Sequence, residues 1–172
     1  MYKISIKFAG SGGQGIITTA ILLAQAAVTA GLNVVQSQSY GPEARGGACQ
    51  SEVIISSNKI YHPKIITPNY MFIMSPTAFD KYYNGNNHFT YYIVDNLVET
   101  VSTDIKYLPI TSIAIQKFHN KLVANLILLG VCCRLLEIIP LDVAITILAN
   151  HFKTNIDTNI QALILGYNLA TR

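Results

Sequence analysis

The first candidate for chemistry is a glycine-rich turn near the start of the chain. Residues 10–15 read Gly-Ser-Gly-Gly-Gln-Gly and match the pattern G-x-G-x-x-G through Gly10, Gly12 and Gly15. Glycines allow a tight turn and let a ligand approach the backbone, while the N–H groups at the start of a following helix can receive an anion. The turn therefore indicates either a site for an anionic ligand or a close contact between a strand and a helix.

Neither of the two common nucleotide sites fits this turn. A dinucleotide fold requires an acidic residue at the end of the second strand. That strand reads Asn-Val-Val-Gln-Ser-Gln-Ser, and the first acid, Glu43, lies beyond it. A P-loop would require Gly-Lys-Ser or Gly-Lys-Thr, which the sequence lacks. From the motif alone, a ligand site and a purely structural turn stay equally open.

A second irregular segment, residues 39–47, follows that second strand. It reads Ser-Tyr-Gly-Pro-Glu-Ala-Arg-Gly-Gly and brings together a charged pair, Glu43 and Arg45, in a chain with little charge. In α/β folds, sites form at the sheet edge where such strands end. Arginine can bind a carboxylate or a phosphate through two parallel hydrogen bonds. The plain alternative is a rigid turn with a surface ion pair that adds little stability.

Composition argues against several classes of function. Charged residues make up 12% of the 172 residues, apolar residues make up 51%, and the net charge of +3 includes no basic run. We therefore expect no binding to nucleic acid. A surface this poor in charge is typical of a chain that packs against partner chains.

Cysteine, histidine and hydropathy patterns predict neither a metal site nor a membrane span. The three cysteines form no Cys-x-x-Cys, and the four histidines lack ligand spacing. Residues 16–35 are uncharged, but polar residues such as Gln25 and Asn33 interrupt them, which predicts a buried helix. Because the N-terminus reads as a strand and not as a signal peptide, we expect a cytoplasmic protein.

Periodicity predicts one α/β domain spanning residues 1–172. Strands are predicted at 3–9, 33–39, 50–56, 59–61, 70–74, 90–94 and 105–108, and helices at 16–30, after Ser75, at 112–137 with a break near 119–120, at 140–152 and at 157–170. The first strand, helix and second strand predict a βαβ unit of parallel strands with a right-handed crossover. The whole pattern predicts a Rossmann-like, mostly parallel sheet flanked by helices, with a helical C-terminal third.

Taken together, the N-terminal motifs resemble the gamma subunit of 2-oxoacid:ferredoxin oxidoreductases. The resemblance rests on Gly-Ser-Gly-Gly-Gln-Gly-Ile at 10–16, an alanine-rich helix, the segment at 39–47, and Ser-Glu-Val-Ile-Ile-Ser at 51–56. The form of the second segment is most similar to the 2-oxoglutarate type. At 67–70 the chain reads Thr-Pro-Asn-Tyr, where the family often has Ala-Asp, which leaves the local turn open.

Two later segments extend the resemblance along nearly the whole chain. Residues 124–130 are similar to the family's Asn-containing helix, and residues 159–167 are similar to its C-terminal helix. We expect Asn125 to be a structural amide in the core that bonds to backbone. Asn159 is expected to be a structural residue at a helix start.

The resemblance implies a subunit and not a complete enzyme. Such complexes convert a 2-oxoacid, coenzyme A and oxidised ferredoxin to an acyl-CoA, CO₂ and reduced ferredoxin. It implies no catalytic residue, no metal and no cofactor bound by this chain alone, while thiamine diphosphate, Mg²⁺ and iron–sulfur clusters belong to alpha-, beta- and delta-type partners. Ferredoxin is reached through the complex, and the isolated chain is expected to self-associate.

Under this resemblance, the two loops face the partner subunits and the path of coenzyme A. The glycines would allow close backbone approach, Gln14 and Tyr40 would hydrogen-bond across the interface, and Glu43 and Arg45 would make charged contacts. The residues assigned in this way are Gly10, Gly12, Gly13, Gln14, Gly15, Tyr40, Gly41, Pro42, Glu43, Arg45, Gly46 and Gly47.

Three alternatives stay open beside this interpretation. The chain could be a stand-alone α/β protein that binds a nucleotide or coenzyme A. It could be a nicotinamide- or flavin-dependent enzyme, although that would explain only the glycine turn. It could also be the gamma subunit of a pyruvate or branched-chain 2-oxoacid homologue. Ligand stabilisation of the isolated chain would favour the first two, whereas insolubility or self-association would favour a subunit.

Overall fold

A six-stranded mixed sheet organises the chain in the computed structural model, which describes residues 2–39, 47–85, 90–100 and 102–170. The strands are β1 (Lys3–Ser11), β2 (Asn33–Ser39), β3 (Ala48–Ser56), β4 (Tyr70–Ile73), β5 (Tyr91–Asp95) and β6 (Ile105–Leu108). The helices are α1 (Ile16–Thr29), α2 (Pro76–Tyr82), α3 (Ile110–Phe118), α4 (Ala124–Leu136), α5 (Leu141–His151) and α6 (Ile156–Leu169). The predicted α/β class and the helical C-terminal third are both confirmed.

The strand order is β2-β3-β1-β4-β5-β6. Strands β1, β4, β5 and β6 pair in parallel, whereas β3 runs antiparallel to both of its neighbours, β1 and β2. The first two strands therefore run in the same direction, as predicted, but β3 lies between them and α1 does not connect neighbours. The apolar residues of β3 are buried, while β2 is largely polar and partly exposed. This difference places β3 inside the sheet and β2 at its edge.

The two faces of the sheet carry different layers. Side chains alternate along β1, so that Phe8 enters a core shared with α1 and α4 while Ala9 faces α2. Phe72 stacks on Phe8, with ring centroids 5.2 Å apart. The first core also takes in α5 and α6, and the second contains Ala78 of α2. Because both faces of β1 are packed, the carboxyl end of β1 holds the turn before α1 in a fixed position.

Local signals set most element ends. Ser75 caps α2 by accepting a hydrogen bond from the Ala78 N–H at 3.2 Å, and Pro76 opens the helix, as predicted. The predicted break near 119–120 separates α3 from a 3₁₀ turn at Lys121–Val123. The strand predicted at 59–61 is wrong, since these residues are irregular. No helix in the described parts of the chain has the length and apolar character needed to cross a membrane.

Helices α4 and α6 pack with their backbones in contact. A Cβ atom added at Gly130 would overlap the Leu163 carbonyl oxygen, and one added at Gly166 would overlap the Ile127 carbonyl oxygen. The two glycines thus face each other's helix reciprocally. The contact holds the C-terminal helix α6 against α4. Helix α6 thereby supports α4, whose first residues lie beside the glycine turn.

Candidate functional site

The glycine turn lies at the carboxyl end of β1 and leads directly into α1. Gly13 and Gly15 both have positive φ values, 89° and 72°. These are left-handed conformations that side chains other than glycine rarely adopt. Gly15 occupies the N-cap position of α1, and no side chain caps the helix there. The first N–H groups of α1 therefore lack a side-chain acceptor, which makes this helix end suited to an anion.

Gln14 holds the turn in shape through both ends of its amide. Its Oε1 accepts a hydrogen bond from the Ser11 N–H at 2.7 Å, and its Nε2 donates to the Met74 carbonyl oxygen at 2.8 Å. The same Oε1 would lie 2.7 Å from a Cβ atom at Gly10. Gln14 thus ties the turn to β4 from within the chain, a role that sequence reasoning missed. Its predicted contact across an interface stays a prediction.

The start of α4 closes one side of the turn. The Asn125 side chain packs on Gly15, such that its Cγ would lie 2.9 Å from a Cβ atom there. The Asn125 carbonyl accepts a hydrogen bond from the Thr19 hydroxyl at 2.9 Å, which links α4 to α1. Asn125 is half-buried, and its side-chain amide has no hydrogen-bond partner among the described residues. From the sequence we expected a core amide that bonds to backbone. The structure instead places the Asn125 side chain at the turn.

Asp95, at the carboxyl end of β5, fixes the positions of Leu97 and Thr111. Its fully buried carboxylate accepts hydrogen bonds from the Leu97 N–H at 2.9 Å and from the Thr111 N–H at 2.7 Å. Burial raises the pKa of the Asp95 carboxyl, while these two N–H groups act in the opposite direction. The carboxylate thereby fixes the start of α3 relative to β5.

These elements enclose a cavity of about 470 Å³ over the glycine turn. Its lining residues are Ser11, Gly12, Gly13, Gln14, Met74, Leu97, Thr111, Lys121, Leu122 and Ala124. Leu97 and Leu122 are 43% and 60% exposed, so the cavity has an apolar rim. A volume of this order suits part of a small molecule or a side chain of another protein.

The potential at this cavity favours a negative group. Helix α1 begins beside the cavity without a side-chain cap, whereas the 3₁₀ turn that leads into α4 is capped by the Asn120 side chain, which accepts from the Leu122 N–H at 2.9 Å. Helix N-termini carry a partial positive charge, and Lys121 adds a full one. The cavity can therefore hold a phosphate or a carboxylate.

The predicted second loop falls largely outside the described residues, which exclude Tyr40, Gly41, Pro42, Glu43, Arg45 and Gly46. Gly47 is described, and its carbonyl oxygen accepts a hydrogen bond from the Gly12 N–H at 3.3 Å. The last residue of the second loop thus contacts the glycine turn. Gly10 also pairs with Cys49 across β1 and β3.

Other predicted residues lie away from the turn. Asn159 is the fourth residue of α6, and its N–H donates to the Asn155 carbonyl at 3.0 Å, in agreement with a place near a helix start. The thiols are poor metal ligands here, because burial raises the pKa of Cys49 and raises that of Cys133 to about 12. No group of three or more His, Cys, Asp or Glu residues in the described ranges could hold a metal ion.

Sequence reasoning missed Thr111 and Lys121, which line this cavity, and Asp95, whose carboxylate accepts from the Thr111 N–H. An acid that ends a parallel strand points to the edge where sites form, so Asp95 at the end of β5 was a usable signal. Lys121 and Asn125 gave no such signal, because about 110 residues of chain separate them from the turn that they face. Only the packing of α4 on α1 brings them there.

Comparison with known proteins gives independent evidence of the family. Residues 5–169 match the family described as Pyruvate ferredoxin/flavodoxin oxidoreductase. The chain is 34% identical to the 2-oxoglutarate synthase subunit KorC of Archaeoglobus fulgidus, over 99% of this chain and 89% of the relative. It is 38% identical to the KorC subunit of Methanocaldococcus jannaschii, over 96% and 92%. The gamma subunit of a keto/oxoacid ferredoxin oxidoreductase from Geobacter sulfurreducens has a similar structure, with a TM-score of 0.81, 29% identity and coverage of 97% and 98%.

Proposed function

This chain belongs to the pyruvate ferredoxin/flavodoxin oxidoreductase family, and from that premise we propose that it is the gamma subunit of a 2-oxoglutarate:ferredoxin oxidoreductase. A 2-oxoacid:ferredoxin oxidoreductase is the class that the whole-length similarity supports. The observation that carries the finer assignment is that two relatives matched along almost the whole chain are 2-oxoglutarate synthase subunits. The reaction would yield succinyl-CoA, CO₂ and reduced ferredoxin.

The other components belong to partner subunits in this proposal. Iron–sulfur clusters need several accessible thiolates, whereas Cys132 and Cys133 are buried and the pKa of each is raised by that burial. The described residues therefore do not fit a cluster. We assign clusters, thiamine diphosphate and Mg²⁺ to alpha-, beta- and delta-type chains. The apolar rim at Leu97 and Leu122 is suited to packing against one of them.

The cavity over the glycine turn is our proposed contact for coenzyme A. Coenzyme A carries a diphosphate and a 3′-phosphate, which are the groups that the uncapped start of α1 and Lys121 would attract. Gly13 leaves the approach open, since nothing lies within 4 Å of an added Cβ atom there. The Asn125 amide beside the turn would add a hydrogen-bond donor. Arg45 of the second loop would supply a further positive charge.

The subunit assignment is tested by purifying the tagged chain from its native cell extract. We expect alpha- and beta-type subunits in the eluate, together with coenzyme-A-dependent dye reduction driven by 2-oxoglutarate. Faster reduction with pyruvate or a branched-chain oxoacid would move the assignment to that homologue. A lone, inactive chain would argue instead for a stand-alone binding protein.

The coenzyme A contact is tested with a Lys121→Ala variant in the assembled complex. Loss of one exposed positive charge should raise KM for coenzyme A about threefold to fivefold, with little change in kcat. The rise should shrink in high salt, because exposed charges are screened. Lys64→Ala is the matched control, since Lys64 is exposed and does not line the cavity. An equal effect of both variants would contradict a specific contact.

A further inference from the structure

The loop that joins β3 to β4, residues 57–69, is tied to the amino ends of β1 and β5. The Ser5 N–H of β1 donates a hydrogen bond to the Asn69 side-chain oxygen at 2.8 Å. The Thr90 hydroxyl, just before β5, donates to the Pro68 carbonyl oxygen at 2.7 Å, and Pro68 itself is buried. These bonds hold the loop in one position against the sheet, so the side chains that it presents are already ordered.

This edge of the sheet carries the most exposed apolar side chains of the described residues. Ile66 and Tyr61 of the loop are 85% and 75% exposed. Tyr91, whose N–H donates to the Asn69 carbonyl oxygen at 2.8 Å, is 71% exposed. No other large apolar side chain in the described ranges is exposed above 60%. Large apolar side chains that gather on one ordered edge are typical of a contact surface.

The same edge is basic. Lys59 and Lys64 are exposed on the loop, and the exposed Lys3 joins them because its Nζ donates to the His62 carbonyl oxygen at 3.4 Å. Residues 53–79 contain no Asp or Glu. The remaining basic and acidic residues of the chain are equal in number, so these three lysines account for its net charge of +3.

The acids nearest to this edge have basic neighbours. Glu52 forms an ion pair with Lys7, with 2.8 Å between the carboxylate oxygen and Nζ. Asp104 and Lys106 line one cavity together with Tyr91. The charges in each of these pairs are opposite, so the edge keeps a positive sign.

We propose that this basic surface, formed by Lys3, Lys59, Tyr61, Lys64, Ile66 and Tyr91, binds an acidic surface of a different protein chain. Carboxylates of the partner would face the lysines, and the apolar side chains would form the centre of the contact. Three lysines are fewer than the four to eight that attract a chain to anionic lipid, and no basic run suits nucleic acid. Two copies that met through this surface would bring like charges together.

The basic surface and the coenzyme A cavity lie at opposite edges of the sheet. Lys3 begins β1 at the basic edge, and Ser11 ends β1 at the lining of the cavity. The nine residues of β1 span roughly 30 Å. The acidic partner therefore differs from any chain side that closes the cavity, and its binding goes beyond the proposed function.

The first arm of the test is carbodiimide cross-linking of the tagged full chain in its native cell extract. Carbodiimide joins a lysine amine directly to a carboxylate, so it links only charges that are in contact. Mass spectrometry should show Lys59 or Lys64 joined to an Asp or Glu of another protein. The yield should fall in high salt, because exposed charges are screened.

The second arm measures how tightly the purified full chain binds the protein found in that cross-link. Lys59→Glu combined with Lys64→Glu should weaken binding roughly tenfold or more, since both exposed charges are reversed while the fold is kept. Ile66→Asp should weaken it similarly by charging the centre of the contact. Lys117→Glu combined with Lys153→Glu is the matched control, because both lysines are exposed and lie outside the loop.

Several outcomes would overturn the proposal. They are the absence of any link at Lys59 or Lys64, links only within this chain or to a second copy, and equal losses of affinity in the loop and control variants. Sedimentation of the full chain with phosphatidylserine vesicles, lost in the double loop variant, would overturn it in favour of a membrane. The cross-link is made on the unmodified chain, so a variant that fails to fold does not affect it. None of these outcomes depends on 2-oxoglutarate or coenzyme A.

Discussion

The glycine turn and the α4–α6 contact both depend on glycine, for different physical reasons. In the helix pair, an added methyl group at Gly130 or Gly166 would overlap a backbone carbonyl oxygen, which cannot move without separating the helices. In the turn, Gly13 has open space around it and needs glycine only for its φ of 89°. One region uses glycine for close packing, and the other uses it to keep a backbone surface accessible.

This difference separates stability from ligand binding. Residues whose absent side chain makes room for the protein's own backbone stabilise the fold, whereas a residue that leaves space empty makes room for something else. Gly15 lies between these cases, because it has a positive φ and also packs under the Asn125 side chain. Substitutions in the two regions should therefore be distinguishable by comparing stability with affinity for coenzyme A.

The largest effect is expected for Gly166→Ala in α6. Forcing the two backbones apart should cost about 3 kcal/mol of unfolding free energy, well above the gain of about 1 kcal/mol from the better helix propensity of alanine. Urea denaturation of the purified chain measures the change. Combining this variant with Gly130→Ala should cost less than the sum of the two single changes, because both act on one contact. A loss below about 0.5 kcal/mol would contradict backbone-to-backbone packing.

An intermediate loss of unfolding free energy is expected for Asp95→Asn, which tests how the structure beside the glycine turn is held. In the amide an NH₂ group replaces one of the two acceptor oxygens, so one buried N–H loses its acceptor at a cost of about 2 kcal/mol. Because burial raises the pKa of the folded Asp95 carboxyl, its contribution to stability is largest below the unfolded pKa of about 4 and decreases as the pH rises through the folded value. The stability difference between the parent chain and Asp95→Asn should therefore narrow from pH 4 to pH 7.

Denaturation curves at several pH values measure that difference. The control is Asp104→Asn, which changes an exposed carboxylate outside the glycine-turn cavity. A gap that widens with pH for Asp95→Asn would show that its hydrogen bonds outweigh burial.

The smallest stability effect, with the clearest effect on binding, is expected for Gly13→Ala. A left-handed alanine should cost about 1 kcal/mol, and its methyl group would project toward the approach to the turn. Affinity of the complex for coenzyme A should fall at least tenfold. Gly31→Ala is a close control, because Gly31 has a φ of 83° and equally open surroundings but lies at the other end of α1. Equal losses of stability with loss of affinity only at Gly13 would support the comparison, and equal affinities would refute it.

Much of the site's core was visible in the sequence because its signals are local. Gly10–Gly15 lies between an alternating strand and an uncharged, mostly apolar helix, and the N-cap pair Ser75-Pro76 marks α2 in the same local way. The position of β3 could not be predicted, since strand order depends on which faces are buried together and not on chain order. The strand expected at 59–61 is absent for a related reason, because the short run Lys-Ile-Tyr pairs with no other strand in the described parts of the chain.

The sequence by itself determined the α/β class, the glycine turn and the family of this protein, because each rests on residue types at short fixed spacings. Only the tertiary structure decided which distant residues complete the site. Lys121 and Asn125 reach the turn because α4 packs on α1, and Thr111 is held beside it by Asp95 because β5 ends at the same sheet edge as β1. Such contacts are set by the burial of whole helix and strand faces, and that information is spread over the entire chain.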